Sequence, residues 1–149
     1  MFEHLSPESK VWVYQADRPL LISEINTISS ELISFVKEWA AHGSQLYGDA
    51  VVLHDRFIVL CVDETKTGVS GCSIDTSVHK MKEIGSAHNI NFFNRLNLVV
   101  EKENEFQYVH ISDVKNYLGW SLFNPMVTNL EELRSSWKIR VEDLSLIHI

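Results

Sequence analysis

Between Lys10 and Trp39 the hydrophobic residues change their period, and that change restricts the chain to a fold mixing strands with helices. Lys10-Val11-Trp12-Val13-Tyr14-Gln15 is rich in β-branched and aromatic side chains, the composition of a strand. Ala16-Asp17-Arg18-Pro19 breaks it. From Ser23 onward, Ile25, Ile28, Leu32, Phe35, Val36 and Trp39 recur at three- and four-residue steps, which makes one apolar stripe along a helix. Ser23 is the expected N-cap, and Gly43 stands where a left-handed residue would close the helix.

The rest of the chain extends the alternation. Ala50–Leu53 and Phe57–Val62 read as two strands, with His54-Asp55 and Arg56 forming a tight antiparallel hairpin between them. Asp63 to Gly71 is a polar loop with two glycines. Ile74, Val78, Met81 and Ile84 mark a second helix, which Gly85 weakens. Leu96–Glu101 and Phe106–Ile111 read as further strands around Lys102-Glu103-Asn104, followed by short helices at Asp113–Leu118 and Thr128–Ser135.

The resulting order, β-α-β-β-α-β with an added strand and small helices, predicts an α+β fold. It is the order of the ferredoxin-like arrangement, an antiparallel sheet with two helices on one face. Direction counting in that arrangement has a consequence for function. The end of helix one, the end of strand three and the start of helix two fall at one edge of the sheet, so His42-Gly43, Asp63-Glu64 and Gly71-Cys72-Ser73 become neighbours.

Composition narrows the classes of function. With 45% hydrophobic and 22% charged residues in a 149-residue chain, a single globular domain over residues 1–143 is expected. The net charge is −7 and the 13 Lys and Arg are scattered, which argues against a phosphate-binding nucleic-acid surface. The longest apolar runs, such as Phe57–Val62, are far below the roughly 20 residues of a membrane span, so no membrane insertion is expected. No secretory leader is visible in Met1–Lys10, and Cys61 and Cys72 have no metal-binding spacing, which together suggest a reduced, cytoplasmic setting. His54, His88 and His110 share no ligand spacing either, and nothing calls for a metal or cofactor.

Ser70-Gly71-Cys72-Ser73-Ile74-Asp75 is the stretch that could carry chemistry. Ser73 can accept from the first-turn N–H groups, and Asp75 adds negative charge where the helix dipole favours it, so capping alone accounts for both. Cys72 admits two readings. At a helix start its thiolate would be stabilised, with His42 as proton acceptor, giving a thiol-dependent enzyme or redox sensor. Alternatively it is a small buried residue that closes the loop. Packed helices would leave His42 and Cys72 roughly 10 to 12 Å apart, proximity without contact. A loop containing Gly68 and Gly71 before a helix also suits a small anion held by backbone N–H groups, with Gly43, Asp63, Gly71, Ser73 and Asp75 around it. The first-ranked expectation is therefore a binding or regulatory module for a small anion or a protein partner.

Four patterns, Glu38–Gly43 (EWAAHG), Arg56–Glu64 (RFIVLCVDE), Ser70–His79 (SGCSIDTSVH) and Asn124–Trp137 (NPMVTNLEELRSSW), resemble a family of small bacterial proteins that carry the label "ABC transporter ATPase". The resemblance draws attention to Trp39, His42, Gly43, Arg56, Asp63, Gly71, Cys72, Ser73 and Asp75. The label itself has no footing here, because the pattern G-x-x-x-x-G-K-[ST] is absent. The last six residues, Leu144-Ser145-Leu146-Ile147-His148-Ile149, resemble the in-frame translation of a transposon-end sequencing adapter. They are expected to be a non-native tail over 144–149 with few specific contacts.

Overall fold

Strand β1 forms where the sequence places it, at Lys10–Gln15, in the computed structural model. The structure describes residues 2–39, 41–42, 45–63 and 74–146. By their contacts they divide into two compact units. The first is Met1–Phe93 with Thr128–Leu130, and the second is Asn94–Val127 with Glu131–Ile149. The sequence between Phe93 and Asn94 carries none of the Gly, Pro or Ser enrichment of a linker, so one domain was the expectation there.

In the first unit, helix α1 spans Ile22–Trp39 and buries Ile28, Leu32, Val36 and Trp39, the stripe expected from their spacing. Its start differs from expectation. Ser23 lies inside the helix, and Glu24 Oε1 accepts from the Leu21 N–H at 2.9 Å, so a glutamate three residues on satisfies the cap position. The helix also ends before His42. Ala41–His42 (β2) pairs antiparallel with Gln45–Leu46 (β3), and this local ladder stops the helix at Trp39 where Gly43 had been expected to do so. Gly43 itself lies outside the described residues.

Strands β4 (Gly48–Leu53) and β5 (Phe57–Val62) complete a three-stranded sheet in the order β1-β5-β4, with β5 antiparallel to both neighbours. Every residue of β5 is buried, as befits a central strand read from an unbroken apolar run. The β4–β5 turn uses His54 (φ 53°) and Asp55 (φ 58°), both left-handed, the geometry that hairpin twist requires even without glycine. Helix α2 spans Ile74–His88. Its Met81 and Ile84 join Ile28, Leu32 and Val36 of α1 and Ile58, Leu60 and Val62 of β5 in one core, so both helices pack on the same face of the sheet. The hydroxyls of Tyr14 and Ser77, 2.7 Å apart and buried, tie that helix to β1.

At the start of α1 an ion pair that also reaches the end of α2 has three consequences. The Arg18 guanidinium donates to both carboxylate oxygens of Glu24 at 2.8 Å and to the His88 carbonyl at 3.0 Å. It thereby orients the start of α1, satisfies an end carbonyl of α2 and joins the two. The Arg18 hydrogen bonds, together with the Leu21 N–H, hold the Glu24 carboxyl down from 4.5 to about 2. A depressed carboxyl contributes stability that is complete above its unfolded pKa and is lost as pH falls through the folded value. Glu24→Gln is therefore expected to flatten the pH dependence of stability between about 4.5 and about 2 while leaving its shape above 4.5 unchanged. Urea midpoints of both proteins across that range check this.

In the second unit, β6 (Asn97–Lys102), β7 (Glu105–His110), β8 (Ser121–Phe123) and β9 (Lys138–Arg140) form a separate antiparallel sheet in the order β7-β6-β8-β9. Strand β6, expected as the fourth strand of a single core sheet, pairs instead with β7 and β8. The β6–β7 turn is a two-residue one, with Glu103 (φ 53°) and Asn104 (φ 65°) left-handed. Leu98, Val100, Val109, Val114 and Leu122 make the core of this unit. The nearly buried Glu101 carboxylate meets Lys138 across the sheet at 2.8 Å. The two short helices expected near the end are a 3₁₀ helix at Ile111–Asn116 and α3 at Leu130–Ser136. A second 3₁₀ helix covers Val141–Leu146, and Leu144, the first residue of the expected tail, packs half-buried against this core.

Candidate functional site

Of the site residues named from sequence, His42, Asp63 and Asp75 fall among the described residues. Val62 closes β5 opposite Lys10 of β1 and Gly48 of β4. Asp63 follows it, 1% exposed, and its N–H donates to the Tyr47 carbonyl at 2.8 Å. Helix α1 finishes toward the same end, because the Trp39 ring lies 4.9 Å from that of Trp12, and Trp12 pairs with Leu60. His42, in β2, comes three residues later.

Helix α2 packs on the same face of this sheet as α1. Its last residue is tied to Arg18, beyond the far end of β1. In its first turn Asp75 is exposed and the Ser77 hydroxyl meets that of Tyr14, which pairs with Ile58 of β5. Gly43, Gly71, Cys72 and Ser73 lie outside the described residues, and with them the separation of His42 and Cys72. Cys61, by contrast, is fully buried in β5 and is a packing residue. What this end of the sheet offers is a buried carboxylate at a strand terminus, able to orient a neighbouring donor.

A second feature, absent from the sequence reading, lies at the opposite end of the unit. A groove of about 420 Å³ runs along the last two turns of α2 and the segment that folds back from it. Asp17, Met81, Lys82, Gly85, Asn91 and Phe93 are among its lining residues. Asn89 (φ 56°) takes the left-handed position that ends α2, and the Ile90 N–H returns to the Gly85 carbonyl at 2.9 Å. Asp17 Oδ1 accepts from the Asn91 N–H at 3.1 Å and so anchors the returning chain to the end of β1. Asn89-Ile90, a left-handed-tolerant residue followed by an apolar one after a helical stripe, was the signal for this cap in the sequence.

Among the described residues no group of three or more His, Cys, Asp or Glu is placed to hold a metal ion, and no helix is long and apolar enough to cross a membrane. No family model matches the chain, and neither a curated protein nor a solved structure matches it.

Proposed function

We propose that the chain is a cytoplasmic binding or regulatory module that engages a small anion or a protein partner where β5 ends and α2 begins. The observation that carries this reading is Asp63, a carboxylate 1% exposed at the terminus of the central strand, at the end to which α1 leads His42. The order β1-α1-β4-β5-α2 and the strand order β1-β5-β4 also fit the first five elements of a ferredoxin-like arrangement, a fold in which binding is common; that support is by analogy. Kinship with the small bacterial proteins labelled "ABC transporter ATPase" belongs to the same proposal and brings no ATPase reading with it.

The rate of alkylation of Cys72 against pH separates this reading from thiol chemistry. Cys61 is fully buried, so reaction of the folded protein followed by peptide mass reports Cys72 without interference. A half-point near the free-cysteine value of about 8.5 supports the binding module, and one below about 7 supports a thiol-dependent enzyme or sensor instead. Inorganic phosphate is the anion probe. Movement of the Gly71, Cys72 and Ser73 amide resonances supports an anion site, and their invariance leaves the protein partner.

A further inference from the structure

The groove at the C-terminal end of α2 holds two opposite charges that do not meet. Lys82 Nζ lies 5.8 Å from the centroid of the Phe93 ring, and among the described residues the ammonium has no carboxylate partner. Asp17 uses Oδ1 for the Asn91 N–H, and its carboxylate likewise has no cationic partner among the described residues. Both line the same groove. Opposite charges across an open groove ordinarily gain by closing into a pair, at a cost of side-chain entropy. Here each is restrained from its own side, Asp17 by the backbone of the returning chain and Lys82 by the aromatic face. Met81, Ile90 and Phe93 contribute apolar lining to the same groove, and Asn89 and Asn91 add neutral amides.

We infer that this groove binds a small zwitterion with an apolar side chain, for which a free α-amino acid is the simplest chemistry. The ligand carboxylate meets Lys82, its ammonium meets the second oxygen of Asp17, and its side chain lies against the Phe93 ring. Neither an anion nor a cation alone satisfies both walls. The site stands at the opposite end of the first unit from the one in the proposed function, and it rests on none of the same residues.

The test is ligand-observed and amide NMR of the full chain with L-leucine, L-leucinamide and N-acetyl-L-leucine at about 10 mM, ten times a millimolar Kd. Leucine is expected to move the amides of Lys82, Gly85, Ser86 and Asn91. Leucinamide, without the carboxylate, and N-acetyl-leucine, without the ammonium, are each expected to bind about tenfold more weakly or worse, the loss of one charge-assisted contact. Lys82→Met and Asp17→Asn are expected to do the same to leucine. Both positions are exposed, and asparagine keeps the oxygen that accepts from Asn91, so the variants fold. Unchanged spectra with leucine overturn the proposal. So does equal binding of all three compounds, or binding by the variants as tight as by the parent, since charges that are merely solvated predict both.

Discussion

Gly85→Ala is expected to destabilise the first unit by about 1–3 kcal/mol, the range for overpacking a filled site. The sign is the informative part. In an isolated helix alanine is better than glycine by about 1 kcal/mol, so helix propensity alone predicts a gain. A Cβ at position 85, however, would sit 2.5 Å from the Ile90 carbonyl oxygen and 3.5 Å from the Phe92 ring. The oxygen belongs to backbone held by the Ile90–Gly85 and Asn91–Asp17 hydrogen bonds, so it has little freedom to retreat. Equilibrium urea denaturation of the two proteins measures the difference. A more stable alanine variant would show that the returning chain does not press on the helix, and the groove built on that contact would fall with it.

Leu60→Ala is expected to be the more damaging change, costing about 2–5 kcal/mol. Leu60 is fully buried at the centre of β5, among the side chains of α1 and α2 that form the first core. Removing its isopropyl group leaves a cavity that neither helix can fill by shifting, because the Arg18 bridge fixes their ends and the Tyr14–Ser77 contact fixes α2 to the sheet. A marginal stability of 5–15 kcal/mol leaves little in reserve after such a loss. Thermal melting by circular dichroism measures it, and a loss below about 1 kcal/mol would mean that the site is less tightly packed than Leu60 indicates.

The groove and the sheet end differ in how visible they are before folding. Asp63, Asp75 and His42 stand out because residue type and order along a strand–loop–helix path already suggest an edge. Asp17 and Lys82 lie 65 positions apart in the chain and belong to no motif. Only the fold-back after Asn89 brings them to one groove. Gly85 was equally misleading in isolation: as a helix residue it reads as a weakness, whereas its missing side chain admits the backbone of Ile90.

The sequence by itself determined the local elements. A β-branched and aromatic run at Lys10–Gln15, a period near 3.6 from Ile25 to Trp39 and an unbroken apolar run at Phe57–Val62 each follow from which side chains must be hidden, and β1, α1 and β5 form there. Where two local signals competed, nearby hydrogen bonds decided. Glu24 rather than Ser23 satisfied the start of α1, and the β2–β3 ladder ended it ahead of Gly43. The partner of β6 was settled only by tertiary structure. Asn97–Lys102 is apolar enough to join either sheet, and its pattern says nothing about which neighbour will supply the hydrogen bonds. The tight turn at Glu103-Asn104 delivers β7 at small entropic cost, and β8 completes its other edge. Strand pairing is a choice between partners of similar chemistry, made by the cost of closing each loop and the core each pairing can fill.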